Sequence, residues 1–290
     1  MVRAGSRFRS ALRDNSRFAL AIQDHLSTRA GCQRMRMGDH RGMSTHLPML
    51  PSDPNAPFPP GHAALRQPDG LLAMGGDLSP TRLLNAYQHG IFPWYSDGQP
   101  ILWWCPDLRT VFRSDGVHLS TRFRRWLGRC DWVVRADTCF DRVITACSGI
   151  PRAGQHGTWI TSEMIDAYGD LHRLGHAHSI EVLAGDRLVG GLYGVSIGKV
   201  FFGESMFSAE SGGSKIALAA LGRRLAEWGF PLLDAQVEND HLLSLGAELW
   251  PREHFLAAVA ELATEPEPAG SWTTRFGAVL ASELAPARSG

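Results

Sequence analysis

Three apolar runs at 179–184, 188–195 and 200–207 constrain this chain more than any other stretch. Gly185-Asp186 separates the first two, and Ser196-Ile197-Gly198-Lys199 separates the second from the third. Connections that short join antiparallel neighbours, so the three runs read as a meander. Ser211-Gly212-Gly213-Ser214-Lys215 then opens a helix in which Leu218, Leu221, Leu225 and Trp228 step 3-4-3. A last strand follows at 232–237, Leu-Leu-Asp-Ala-Gln-Val. Strand, helix and strand make a crossover, which places strand 232–237 parallel to strand 200–207.

The expected class is therefore α/β (α+β) with a mixed, mainly antiparallel sheet. A meander feeding such a crossover is the arrangement of the acyl-CoA N-acyltransferase (GNAT-like) fold. Helices at ~121–129 and 163–174 precede the meander, the second stopping at Gly175. Upstream, Asp77 or Ser79 can cap a helix that carries Pro80 in its first turn and ends at Gly90. Trp94, Trp103 and Trp104, punctuated by prolines, suggest a small compact module. This reading divides the chain into a leader at 1–44, a small N-terminal domain at 45–110, a catalytic domain at 111–265 and a tail at 266–290.

Charge matters in one place. Residues 1–42 hold nine arginines against Asp14, Asp24 and Asp39, a local +6 in a chain that sums to zero. Few apolar positions recur there, so a disordered, dispensable leader is expected, with Met43 a plausible start. No apolar run reaches the ~18 residues a membrane span needs, and no secretory core is present, so a cytoplasmic monomer is expected. Five cysteines without a CxxC pair (Cys32, Cys105, Cys130, Cys139, Cys147) read as reduced thiols. Neither metal nor cofactor is expected.

Chemistry is suggested by polar residues on otherwise apolar strands. Strict alternation puts Glu204 on the face of Val200, Phe202 and Met206, where a carboxylate needs a partner or a cationic ligand. In strand 232–237, Asp234 and Gln236 share one face. Adjacent strands would let Glu204, Asp234 and Gln236 line a cleft suited to an amine, with Asp234 as proton acceptor. Hydrogen-bonded edge and loop-capping roles are the bland alternatives for all three. Arg122, Arg124, Arg125 and Arg129 suit a phosphate backbone or a solvated helix face. Trp94, Trp103, Trp104 and Trp159 can stack on bases or fill a core. His172, His176 and His178 lack an acidic companion at ligand spacing and read as structural.

The stretches PDGLLAMGGDLSP, AYQHGIFPWYS, PILWWCPD, GTWI, LVGGLYGV, FFGESMFS and LLDAQV resemble the leucyl/phenylalanyl-tRNA–protein transferases, in one order across roughly residues 55–260. The resemblance implies transfer of Leu or Phe, and sometimes Met, from aminoacyl-tRNA to protein N-termini that begin with Arg or Lys. Such transfer marks those proteins for N-degron degradation. It further implies a proton relay through Asp234 and Gln236, with Glu204 as the acidic residue of the cleft. Leu192, Phe201, Met206 and Leu218 fall where the family builds its side-chain pocket. Trp94 and Trp159 fall near the tRNA's terminal adenosine, and Arg124, Arg125 and Arg129 at the acceptor stem. Lys215, one of two lysines in the chain, is a further candidate tRNA contact. Departures from the family pattern include Cys105, Ala235 and a Leu for a Met in the pocket.

Overall fold

The computed structural model of the chain describes residues 47–149 and 160–285. The arginine-rich leader and Trp159 lie outside the described residues.

A small four-stranded sheet comes first. Strands β1 (Met49–Leu50), β2 (Leu71–Gly75), β3 (Phe92–Pro93) and β4 (Leu102–Trp104) run in the order β1-β2-β4-β3. Helix α1 (Pro80–Gln88) begins where Ser79 accepts a hydrogen bond from the Arg82 amide, with Pro80 at its start. Trp103 is fully buried, its indole donating to the Gly75 carbonyl and its ring edge-on to Phe58. Trp104 is buried as well and donates to the Trp94 carbonyl. Both tryptophans are core residues, as their apolar neighbours in β4 dictate.

The large sheet has eight strands in the order β11-β5-β10-β9-β8-β7-β6-β12. It contains β5 (Leu108–Arg113), β6 (Val133–Ala136), β7 (Ala177–Ala184), β8 (Arg187–Ile197), β9 (Val200–Ser208), β10 (Leu232–Asp234), β11 (Glu248–Pro251) and β12 (Val279–Leu280). Strands β7, β8 and β9 form the expected antiparallel meander, and β10 runs parallel to β9. Between them helix α5 (Gly213–Glu227) makes the crossover. It lies so close to β8 that a Cβ on Gly190 would sit 2.4 Å from the Gly213 Cα, which is why both positions lack a side chain. Helices α2 (Thr121–Leu127), α3 (Phe140–Ser148), α4 (Ser162–Arg173), α6 (Asp240–Ser244) and α7 (Arg252–Leu262) complete the layers.

The sheet separates two cores. Val111, Tyr193, Val195, Phe202 and Leu232 pack with α3, α4 and the small domain. Phe112, Leu192, Phe201 and Leu233 pack with α5 on the opposite face.

Three expectations need correction. Residues 266–285 are not a tail: helix α8 (Trp272–Phe276) buries Trp272 and Phe276, and β12 pairs with β6. The cause is the otherwise open edge of β6, whose unpaired backbone groups need a cover. Trp272 also stacks on His178 at 4.0 Å. Strand 232–237 ends at Asp234, and Gln236 adopts φ +60, outside the strand region. Alternation along β9 is broken as well. Tyr193 pairs with Ser205 and Gly194 with Gly203, leaving Glu204 as an extra residue in a bulge. Phe202 and Phe207 therefore share one core, while Phe201 and Met206 face the other. Glu204 does not lie on the face of Met206.

Candidate active site

The bulge lets β9 supply both halves of one site. On the α5 side, Leu192, Phe201, Met206 and Leu218 line a cavity of about 320 Å³, joined by Phe112, Leu221 and Leu233. All four residues that the resemblance assigned to a side-chain pocket therefore meet in one place. Trp94, half-buried and packed against Trp104 with centroids 5.6 Å apart, stands at the cavity wall beside Phe92 and Pro93. Glu204, Ser205, Gln236, Glu238 and Asn239 supply its polar lining.

Glu204 sits in a dense set of donors. Its Oε1 accepts from the Tyr87 hydroxyl at 2.7 Å and from Gln236 Nε2 at 2.6 Å. Its Oε2 accepts from the Tyr168 hydroxyl at 3.0 Å, and the two tyrosine hydroxyls also touch each other. Burial raises the Glu204 carboxyl to about 7, against the lowering effect of the tyrosine and Gln236 hydrogen bonds, with the nearby Asp234 charge adding to the rise. Burial, and then the Glu204 charge, push both phenols well above their ordinary value.

Asp234 is fully buried and does not line the cavity. Arg109 grips it with both arms, Nε to Oδ1 at 2.8 Å and Nη2 to Oδ2 at 2.6 Å. Burial alone would lower the Arg109 guanidinium, but the Asp234 carboxylate outweighs it and holds it above its ordinary value. The Gln236 backbone amide also donates to Asp234 Oδ1, at 2.8 Å. Asp234 and Gln236 are thus neighbours, but not two groups on one strand face. The bend after β10 turns Gln236 toward Glu204, while Asp234 points back at Arg109.

Sequence reasoning missed Arg109, Tyr87 and Tyr168. A signal for Arg109 exists, since it shares a face of β5 with the fully buried Val111. The tyrosines offer a weaker one: they belong to Ala-Tyr pairs on the apolar faces of α1 and α4.

Of the predicted tRNA contacts, Trp94 lines the cavity, whereas the basic residues do not. Arg124 and Arg125 are on α2, and Arg129 follows its last turn. Lys215, in the first turn of α5, holds its Nζ 5.6 Å from the Phe123 ring centroid on α2. The four cations make no ion pair among the described residues. Among the described residues, too, no cluster of His, Cys, Asp and Glu is arranged to hold a metal, and no helix is long and apolar enough to cross a membrane.

Residues 111–260 match the family model described as leucyl/phenylalanyl-tRNA protein transferase, and residues 76–107 match the model of its N-terminal domain. A leucyl/phenylalanyl-tRNA–protein transferase of Xanthomonas campestris pv. campestris (strain B100) is 64% identical over 247 residues, covering 85% of this chain and 99% of that one. The chain belongs to the leucyl/phenylalanyl-tRNA–protein transferases. A Xylella fastidiosa (strain 9a5c) member of that name is 59% identical over 81% of this chain and 97% of its own. A conserved Staphylococcus epidermidis protein of unknown function matches 62% of the chain and 68% of its own at 11% identity, with a TM-score of 0.34, too low to carry an argument. As a leucyl/phenylalanyl-tRNA–protein transferase, the chain is an aminoacyltransferase with aminoacyl-tRNA as donor and a protein as acceptor.

Proposed function

We propose that this enzyme moves Leu or Phe, and in some cases Met, from its tRNA to the α-amine of a protein beginning with Arg or Lys, and that Glu204 takes the proton the amine must lose. The observation that carries the reading is the position of Glu204, a carboxylate raised to about 7 at the rim of an apolar cavity. An α-ammonium titrates at about 7.7–8.0, so acid and base are closely matched. The transferred side chain occupies the cavity of Leu192, Phe201, Met206 and Leu218, and the ester lies beside Glu204 and Gln236. Arg124, Arg125, Arg129 and Lys215 hold the tRNA, while Trp94 and Trp159 meet its terminal adenosine.

The steps balance. Ionised Glu204 attracts the ammonium and removes one proton. The amine lone pair attacks the ester carbon, and an oxyanion forms. That oxyanion collapses, the bond to the ribose oxygen breaks, and the leaving oxygen takes the second ammonium proton. The third proton stays on the new amide, and Glu204 returns its own to solvent.

A proton count supports Glu204 over Asp234 as the acceptor. Three contacts join Tyr87, Tyr168 and the two oxygens of Glu204. An ionised carboxylate leaves only two phenol protons to fill them. Protonation supplies a third, so Glu204 can donate to Tyr168, Tyr168 to Tyr87, and Tyr87 back to Glu204. The site thus has a ready place for the proton it removes. Asp234, with both oxygens committed to Arg109, instead fixes Gln236. Gln236 steadies the catalytic carboxylate and completes the set.

The enzyme acts as a cytoplasmic monomer in the N-degron pathway on this reading. Cys105, Cys130 and Cys139 form no disulfide among the described residues, in keeping with a reducing compartment. The deciding assay follows labelled Leu from Leu-tRNA onto a protein beginning with Arg, beside proteins beginning with Lys or Ala and a reaction given acetyl-CoA instead. Transfer confined to the Arg and Lys acceptors is expected. Equal labelling of the Ala acceptor, or acetylation without tRNA, would overturn it.

A further inference from the structure

We infer that Arg109 is a positioning residue for the transfer, aiming Gln236 at Glu204 through Asp234. The inference rests on the proposed role of Glu204 and extends it to a residue outside the cavity.

The support is a chain of directed contacts. Arg109 is 1% exposed, and its guanidinium lies between the Phe92 ring at 4.7 Å and the Phe255 ring at 4.5 Å. Phe92 comes from the small domain and Phe255 from α7, so two separate elements fix the plane of the fork. That plane sets the Asp234 carboxylate through two parallel hydrogen bonds, a geometry that a single ammonium cannot reproduce. Oδ1 of Asp234 in turn holds the Gln236 amide at 2.8 Å. Gln236 sits at φ +60, a conformation that a residue with a side chain adopts only when its surroundings impose it. Two further bonds brace the same bend, Thr110 amide to Gln236 carbonyl at 3.1 Å and Ala235 amide to Thr110 carbonyl at 2.8 Å. In the imposed conformation, Gln236 Nε2 reaches Glu204 Oε1 at 2.6 Å. Loosening the fork releases the bend, and with it the amide that fixes the reacting carboxylate.

A purely structural ion pair would show itself differently. Its removal would lower stability and leave the chemistry of folded molecules unchanged. The double variant Arg109→Met/Asp234→Asn separates the two roles, because it removes both buried charges together and keeps an Asn oxygen for the Gln236 amide. We expect its unfolding midpoint to stay within a few degrees of the parent and its KM for Leu-tRNA to stay within about two-fold. Its kcat should fall by roughly 10- to 100-fold, the scale of a 1 Å misplacement. Arg109→Lys keeps charge and bulk without the fork, and should lose kcat by about ten-fold with KM unchanged. A folded double variant or Arg109→Lys with kcat within two-fold of the parent would overturn the inference. Glu204→Gln, assayed alongside, keeps the two readings apart. An active Glu204→Gln enzyme would remove Glu204 as proton acceptor, while a kcat loss confined to the Arg109 variants would leave the positioning role standing.

Discussion

Charge is handled in opposite ways in two regions of this molecule. On α2 and just after it, Arg122, Arg125 and Arg129 are exposed, and together with Arg124 they make no ion pair among the described residues. At the active site Arg109 and Glu204 are buried and held: Arg109 by Asp234, Glu204 by Tyr87, Tyr168 and Gln236. Exposed cations spend little energy waiting in water and gain by releasing counterions from a polyanion, so they suit affinity that varies with salt. Buried groups interact strongly, because little solvent screens them, and changing one changes its neighbours. The patch should therefore tune binding and the buried cluster should set the rate.

The sharpest way to break that comparison is Glu204→Gln. The amide can donate to Tyr168 and accept from Tyr87, so it imitates the protonated carboxyl and keeps the ring of hydrogen bonds. Turnover should drop by roughly 10²–10⁴, while the affinity for aminoacyl-tRNA stays within two-fold. The linkage sign follows from the raised carboxyl. Folded enzyme holds the proton more tightly than unfolded chain, so this group costs stability as pH rises from 4.5 through about 7. The variant escapes that cost, which is on the order of 3 kcal/mol. Its unfolding midpoint relative to the parent should be higher at pH 8 than at pH 5. Turnover near the parent's, in a variant that binds tRNA normally, would remove Glu204 as the proton acceptor.

The opposite arm is Arg124→Gln/Arg125→Gln/Arg129→Gln. KM for aminoacyl-tRNA should rise by one to two orders of magnitude at moderate salt, and each lost contact should flatten the log–log salt slope by somewhat under ~1 unit. kcat at saturating tRNA should hold. An unchanged slope would reduce the patch to a solvated helix face and send the search for the tRNA surface elsewhere.

Acidity gives a smaller effect that belongs to the buried region alone. The ionised form of Glu204 removes the proton, so kcat should fall by about ten-fold for each pH unit below 7. The triple Gln variant should keep the same midpoint. A rate that stays flat from pH 5.5 to 8 would take Glu204 out of the rate-limiting step.

What the sequence made legible was whatever repeats or alternates. The meander, the crossover and the parallel β10 follow from apolar runs and turn residues whose spacing is visible in one dimension. The side-chain pocket was legible only through the resemblance, since Phe201 and Met206 stand five residues apart and alternation alone sends them to opposite faces. The bulge at Glu204 that reunites them has no local signature beyond Gly203. Residues 266–285 looked like a tail because their apolar positions are few, and their burial depends on an open strand edge that exists only once the sheet has formed. Arg109 and Asp234 lie 125 positions apart, so their pairing is written in no local pattern. Tertiary partners of buried charges are what a single sequence hides best.

The smallest expected effect tests the apolar half of the site. Met206→Ala removes a flexible side chain from the wall shared with Phe201, Leu192 and Leu218. Met206 is only partly buried, so its loss enlarges the cavity without opening a sealed void in the core. The wall contact that Leu loses is worth ~1 kcal/mol of discrimination, which is about five-fold in the ratio of kcat/KM values. The larger Phe can settle into the added space, whereas Leu loses wall contacts it cannot replace, so the Phe-to-Leu ratio should rise. The salt slope and the pH midpoint should both stay put, because Met206 carries neither a charge nor a titrating proton. Competition between labelled Phe-tRNA and Leu-tRNA reads the ratio directly. An unchanged ratio would place the transferred side chain outside this cavity. A change in salt slope would instead mean that the cavity and the tRNA surface are one coupled region, and the division between them would fail.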